Sequence, residues 1–211
     1  MPKTITQIAV QQKRKNRCSI FLDDEYAFGL DQEIVLQFGL KKGDVLTEQQ
    51  IEEISINEER KRAKDRALKF LSYRDRSEKE IRTKLKDVGY EENILEWVIG
   101  ELKRLKFLDD QRFALSYAQT QMITRPVGEY FLKRELKQKG VAEELIEQTL
   151  EKAYEEKDQF SVALELAQQR KKRYANLDEI KVKKRVSDFL LRRGFSWDVV
   201  AEVMERWDDL E

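Results

Sequence analysis

Lysine and arginine side chains are the groups in this sequence whose types and spacing could do chemistry, and that chemistry is the binding of anions. They concentrate around residues 74–76, 125–137 and 170–184. Guanidinium and ammonium groups bind phosphate through charge and hydrogen bonds, and several of them on one face can hold a nucleic-acid backbone. The candidate contacts to a partner or to DNA are Arg74, Arg76, Arg125, Lys133, Arg134, Lys137, Arg170, Lys171, Lys172, Arg173, Lys183 and Lys184.

Two interpretations of these basic clusters stay open. Charged residues on a helix often only solvate one face and pair with acids four positions away. Alternatively, one long face gathers several clusters and meets phosphate or an acidic part of a protein partner. The chain has 41 basic and 41 acidic residues, so its formal net charge of zero does not decide between the two.

Residues that commonly perform catalysis are scarce. The chain has no histidine and a single cysteine, Cys18, which removes the usual general base and the commonest zinc ligands. It also lacks a phosphate-binding GxxxxGK[ST] loop and a nucleophile-elbow motif. We therefore expect no enzyme activity, no metal and no cofactor.

Composition favours small helical units over one thick core. Hydrophobic residues make up 40% of the chain and charged residues 39%, well above the roughly 25% charged residues of an average domain. The sequence shows no apolar run of the roughly 18 residues that a membrane span needs, and its first residues do not resemble a signal peptide. We expect a monomeric protein of the cytoplasm that does not associate with membranes.

Residues 1–58 are predicted to form a small N-terminal module with a β-hairpin and a helix. Apolar residues alternate with polar ones between residues 4 and 30, a pattern typical of two or three antiparallel strands. Asp31 can cap a short helix, and residues 47–50 (TEQQ) form a capping box that starts another. The module either only caps the body of the protein or makes contacts through a basic hairpin tip, formed by Lys13, Arg14, Lys15 and Arg17.

Three glycines, Gly89, Gly140 and Gly194, mark an internal repeat, since they lie 51 and 54 residues apart. Four residues before each glycine stands a leucine, eight before it an aliphatic residue, and directly after it an apolar residue. These are Ile81, Leu85 and Tyr90 in the first copy, Leu132, Leu136 and Val141 in the second, and Val186, Leu190 and Phe195 in the third.

This spacing predicts a helix that ends at a left-handed glycine. Residues four apart share one helix face, and the residue after such a glycine packs onto the residue four positions before it. With one helix before and one after, each copy becomes a three-helix unit. The predicted fold is mainly α, with three-helix repeats at 59–107, 108–156 and 157–211 in an elongated array behind the N-terminal β-containing module.

The chain resembles the RecX family in three motifs. They are residues 77–85 (SEKEIRTKL) followed by Gly89, residues 107–114 (FLDDQRFA) and residues 132–141 (LKRELKQKGV). The resemblance covers about residues 60–210, and the N-terminal sheet is similar to an extension of longer family members from Gram-positive-type bacteria. The family motifs consist of core and capping positions, so they carry no catalytic residue over to this chain.

The resemblance implies a negative modulator of the RecA recombinase in DNA repair, recombination and the SOS response. Such a protein binds the RecA filament on single-stranded DNA, along its groove, and inhibits recombinase, ATPase and co-protease activities. It also implies weak, non-specific contact with DNA. The alternative is a helical regulator that binds DNA itself, with or without sequence specificity, because three-helix units can also resemble helix-turn-helix folds.

Overall fold

A computed structural model describes residues 1–13, 15–174 and 178–207. In these residues the chain is mainly helical, as expected. The strands are β1 (Lys3–Val10), β2 (Arg17–Leu22), β3 (Glu25–Asp31) and β4 (Val45–Leu46). The helices are α1 (Gln32–Gln37), α2 (Glu48–Leu71), α3 (Glu78–Lys86), α4 (Glu92–Arg104), α5 (Asp110–Thr124), α6 (Glu129–Gln138), α7 (Glu143–Ala153), α8 (Gln159–Arg173), α9 (Glu179–Arg192) and α10 (Trp197–Glu205).

The chain divides into two compact units. The first combines Met1–Phe70 with Leu85–Leu102, and the second combines Leu71–Lys84 with Lys103–Glu211. Helix α3 belongs to both, because its first residues lie in the second unit and its last residues in the first. In the described part of the chain, no helix is long and apolar enough to span a membrane.

The N-terminal module of the first unit is an antiparallel sheet with strand order β3-β2-β1-β4. Cys18, Ile20 and Leu22 alternate along β2, and all three face the core that the sheet shares with α1. Asp31 caps α1 by accepting a hydrogen bond from the backbone N–H of Glu33 at 3.0 Å. Strand β4, which pairs with the start of β1, was missing from the expected two or three strands because two residues are too few to show a period of two.

Helix α2 joins two helices that were expected to be separate. The helix predicted to start at residues 47–50 and the first helix predicted for the first repeat are one continuous helix of 24 residues. The capping box starts it as predicted, since Thr47 and Gln50 exchange backbone-to-side-chain hydrogen bonds of 2.8 and 3.3 Å. No glycine or proline stands between Gly43 and Gly89 to end the helix, and the boundary proposed between residues 58 and 59 falls inside it.

The three predicted glycine turns are confirmed. Gly89, Gly140 and Gly194 have φ values of 97°, 81° and 84°. After each one, a backbone N–H reaches back to the leucine four residues before the glycine, with N–O distances of 3.3, 3.1 and 3.2 Å. These bonds, from Tyr90, Val141 and Phe195, are those of the helix end that the spacing predicted.

Within the second unit, the middle helices of the repeats meet end to end. The start of α3 receives the end of α6, because Ser77 Oγ donates to the carbonyl of Lys139 at 2.6 Å. The start of α6 receives the end of α9, here through the backbone, because the N–H of Gly128 donates to the carbonyl of Arg193 at 2.9 Å. We call these contacts the first joint and the second joint. Each brings the positive N-terminal end of one helix dipole to the negative C-terminal end of another.

Separate apolar cores support the second and third repeats. Leu132 and Leu136 of α6 pack with Phe113 of α5 and Ile146 of α7. In the third repeat, Val186 and Leu190 of α9 pack with residues of α8 and α10 and with Trp207, whose exposed fraction is only 1%. These cores fix the helices that carry the basic residues.

Candidate anion-binding surfaces

Arg74 lies at the first joint and is paired with an acid. Its two terminal nitrogens each donate to a carboxylate oxygen of Glu80 at 2.9 Å, a two-pronged ion pair. Lys139, from the end of α6, contacts the same carboxylate at 3.3 Å. Burial raises the pKa of Glu80, but hydrogen bonding from Arg74 and the charge of Lys139 outweigh it, and the pKa lies below its usual value. The carboxylate therefore neutralises much of the positive charge of this joint.

Arg76 lies two residues farther along and is partly buried. Burial, followed by the charge of Arg74, lowers the pKa of its guanidinium from the ordinary value, although an arginine stays protonated near neutral pH. The side chain is thus partly withdrawn from solvent, beside an arginine that an acid already holds.

Helix α6 carries the predicted pair Lys133 and Lys137, which do share a face. Both approach Glu143 of α7, with N–O distances of 2.6 and 3.7 Å. Arg134 turns elsewhere, and its guanidinium carbon lies 5.3 Å from the ring centroid of Phe131. Sequence reasoning missed Glu143, because the acid lies on the next helix and not four residues away on the same one.

The basic run of α8 is split by the helix, since four consecutive residues point in four directions. Lys171 donates from Nζ to the backbone carbonyl of Trp207 at 3.1 Å. Lys171 and Lys183 lie 5.1 and 5.7 Å from the ring centroid of Trp207. Lys183 also pairs with Glu179 at 3.5 Å. These two lysines therefore help to hold the buried tryptophan in place.

Lys172, Arg173 and Lys184 are exposed to solvent. In residues 1–13, 15–174 and 178–207, none of the three has a carboxylate within 4.0 Å. They remain available for a partner.

The second joint gathers two of the predicted residues, Arg125 and Arg170, around a third that was missed. Arg193 donates to the carbonyl of Pro126 at 2.9 Å, which places it beside Arg125. The guanidinium carbons of Arg170 and Arg193 lie 4.2 and 5.0 Å from the ring centroid of Phe189. Burial, then the charges of Arg125 and Arg170, lower the pKa of Arg193.

A signal for Arg193 was present in the sequence. It stands directly before the third repeat glycine, as Lys139 stands before the second. An alignment of the copies at these glycines would have placed both cations at equivalent joints.

Only part of the predicted basic hairpin tip of the N-terminal module is exposed to solvent. Arg17 is partly buried, pairs with Glu58 at 2.7 Å and donates to the carbonyl of Gly29 at 2.8 Å, so it serves the module itself. Lys13 and Lys15 are exposed, and Arg14 lies outside the described residues.

Comparison with known proteins matches nearly the whole chain to one family. Residues 3–47 match the regulatory protein RecX N-terminal domain. Residues 63–102, 109–150 and 156–204 match the first, second and third three-helix domains of RecX.

Individual relatives agree with this assignment. The chain is 36% identical to the regulatory protein RecX of Bacillus licheniformis over 97% of this chain and 77% of the relative. It is 38% identical to that of Bacillus subtilis over 96% and 76%. A crystal structure of regulatory protein RecX superposes with a TM-score of 0.77 at 33% identity, covering 96% of this chain and 99% of the other.

The matched domains follow the order of the structure, with the N-terminal sheet first and the helical repeats after it, and the expected absence of enzyme activity follows from the nature of the family. The chain belongs to the RecX family of regulatory proteins, which are not enzymes.

Proposed function

We propose that this protein is a negative modulator of RecA that binds the RecA filament on single-stranded DNA along its groove. Binding lowers the ATPase, recombinase and co-protease activities of the filament. The observation that carries the proposal is the match to RecX over all three three-helix domains and the N-terminal domain together.

The distribution of cations supports contacts to an anionic partner. Arg74 is paired with Glu80, and both Lys133 and Lys137 with Glu143, so these side chains mainly contact the protein itself. The exposed Lys172, Arg173 and Lys184 of the third domain are, in this proposal, contacts to the filament. Because their side chains are flexible, we expect them to act mainly through long-range attraction to an acidic surface or to phosphate. Added salt weakens this attraction.

The test is the DNA-dependent ATPase of RecA from Bacillus subtilis on single-stranded DNA, at rising concentrations of this protein. We expect ATP hydrolysis to fall at fewer than one molecule per RecA subunit, because each bound molecule affects a filament and not a single subunit. Electron microscopy of preformed filaments should show added density in the groove or shorter filaments. Unchanged hydrolysis and undecorated filaments would exclude the proposal.

A pair of variants refines the same assay. Changing Lys172 and Lys184 to glutamine should raise the concentration needed for half-inhibition. The matched control, which changes Lys133 and Lys137 to glutamine, removes the same charge from sites already paired with Glu143 and should have a smaller effect. A regulator that binds DNA by itself would instead show tight, sequence-dependent binding to DNA without RecA.

A further inference from the structure

Three arginines meet at the second joint. Arg125, Arg170 and Arg193 come from the end of α5, from α8 and from the end of α9. In the described residues, none of them has a carboxylate within 4.0 Å. Arg170 and Arg193 flank one ring, at 4.2 and 5.0 Å from its centroid, so their charged groups lie within roughly 9 Å of each other. Like charges held so close repel each other, and an anion between them would remove that cost.

The first joint shows what the second lacks. Arg74 and Arg125 both stand 15 residues before their repeat glycines, and Lys139 and Arg193 both stand one residue before theirs. In the first joint Glu80 bridges the two cations. The position equivalent to Glu80, nine residues before the glycine, is Phe131 in the second repeat. The second joint therefore keeps the cations and has an aromatic ring where the acid would stand.

Two carboxylates on helices of the second joint, those of Glu129 on α6 and Glu165 on α8, have other partners. Glu129 accepts a hydrogen bond of 2.6 Å from the side-chain amide of Gln159. Glu165 on α8 pairs with Lys157. In the described residues neither of them forms an ion pair with one of the three guanidinium groups, which therefore can bind a ligand from outside.

An exposed aromatic side chain lies at the same joint. The backbone N–H of Tyr130 donates to the carbonyl of Gly194 at 3.1 Å, directly after Arg193 in the chain. Its side chain is 66% exposed. An exposed ring beside fixed cations is the arrangement that binds single-stranded nucleic acid, because the ring stacks on an unpaired base while the cations hold phosphates. An acidic protein surface would use the arginines but gain little from the ring.

We propose that Arg125, Arg170 and Arg193, together with Tyr130, form a binding site for single-stranded DNA, in which the guanidinium groups hold phosphates and the ring stacks on a base. The proposal rests on the proposed function only in the choice of DNA as the nucleic acid. It requires no RecA, so the two can fail separately.

The test measures fluorescence anisotropy of a labelled oligo(dT) with the whole protein, without RecA, over a series of salt concentrations. The variant Arg125→Gln should weaken binding by roughly fivefold, and Tyr130→Ala by about fivefold or more. Each phosphate contact that is lost should make the slope of log affinity against log salt shallower by about 0.7. Arg125 and Tyr130 are exposed, so their variants should keep the fold of the parent.

Matched controls come from the first joint. Arg74→Gln removes the same charge at the equivalent repeat position, where Glu80 already binds it, and should change affinity by less than half as much. Tyr73→Ala removes a ring that is 72% exposed next to that arginine, and it should leave affinity unchanged. Circular dichroism and thermal unfolding establish that each variant is folded.

Two outcomes would overturn the proposal. In the first, Arg125→Gln and Tyr130→Ala bind oligo(dT) like the parent with the same salt slope. In the second, they bind the oligonucleotide like the parent but inhibit RecA less, which would assign the joint to a protein contact and leave the proposed function standing. Weaker DNA binding with unchanged RecA inhibition would support the site and separate it from filament modulation.

Discussion

The two joints of the second unit bring together the same helix ends of successive repeats but differ in surface chemistry. In each, the start of a middle helix meets the carbonyl just before a repeat glycine. The first joint closes with side chains and is balanced by Glu80. The second closes with backbone groups, and in the described part of the chain its three arginines have no carboxylate within 4.0 Å. A repeat can thus conserve its packing while one copy becomes available for a ligand.

A serine and a glycine account for the difference in closure. Ser77 lies before α3 and reaches the carbonyl of Lys139 through its hydroxyl. Its equivalent, Gly128, uses its own N–H to reach Arg193, and a Cβ there would collide with the carbonyl of Gly194. The second joint is therefore closer at the backbone, which makes it more sensitive to added volume.

The largest expected effect is that of Gly194→Ala on stability. A Cβ at this position would lie 2.5 Å from Cβ and 2.9 Å from Cα of Phe131, and φ is also positive. We expect a loss of about 2–5 kcal/mol, from about 1–2 kcal/mol for the left-handed backbone and about 1–3 kcal/mol for overpacking. Urea unfolding measures it.

Gly89→Ala is the matched control. Gly89 has the same left-handed backbone, but a Cβ there would meet nothing within 4 Å. Only the backbone cost of about 1–2 kcal/mol should remain. Equal losses in the two variants would show that the close approach at the second joint contributes nothing to stability.

A smaller effect is expected for Ser77→Ala. The buried hydroxyl accepts the N–H of Glu80 at 3.2 Å as a helix cap and donates across the joint at 2.6 Å. Loss of both bonds should cost about 1–2 kcal/mol in the free energy of unfolding. Ser196→Ala removes a cap of the same length, to Val199, without any bond across a joint. If both variants lose the same stability, the bond between Ser77 and Lys139 has no net value.

The repeat was predictable from the sequence because its determinants are local. A glycine, a leucine four residues before it and an apolar residue after it define a helix end within six positions, and all three ends formed as expected. Helix α2 was divided incorrectly because the prediction followed the change of periodicity and ignored the absence of any residue that would end a helix.

The sequence did not show which candidate residues are already paired with an acid or held by another side chain, because that depends on contacts between helices. Glu143 holds Lys133 from the next helix, and Trp207 draws Lys171 and Lys183 inward from the end of the described chain. Arg125 and Arg170 stand 45 positions apart in the sequence. Only the joint shows that they surround Arg193.

Glu80→Gln should convert the first joint toward the second. Without the carboxylate, Arg74 and Lys139 become two cations beside each other with no acid between them, as at the second joint. We expect affinity for oligo(dT) to rise by about twofold to fivefold and the salt slope to become steeper by up to about 0.7. Fluorescence anisotropy over a series of salt concentrations measures both the affinity and the slope. The variant Glu143→Gln removes the acid that pairs with Lys133 and Lys137, and it tests whether unpaired cations elsewhere raise the affinity equally. An unchanged affinity in Glu80→Gln would mean that two unpaired cations at a joint do not by themselves create a site.

The smallest expected effect is that of Glu80→Gln on the loss of stability at acidic pH. Despite burial, which raises it, the pKa of Glu80 is lowered in the folded protein by hydrogen bonding from Arg74 and the charge of Lys139. A carboxyl whose pKa is depressed by folding stabilises the fold above its unfolded value of about 4.3, and this contribution is lost as the pH falls through the lower folded value. Asp110 acts in the opposite direction, because burial raises its pKa. The parent should therefore lose more stability than Glu80→Gln does as the pH falls below about 4.3, which urea unfolding at a series of pH values measures. Parallel losses would show that Glu80 holds the two cations without any net gain from its charge.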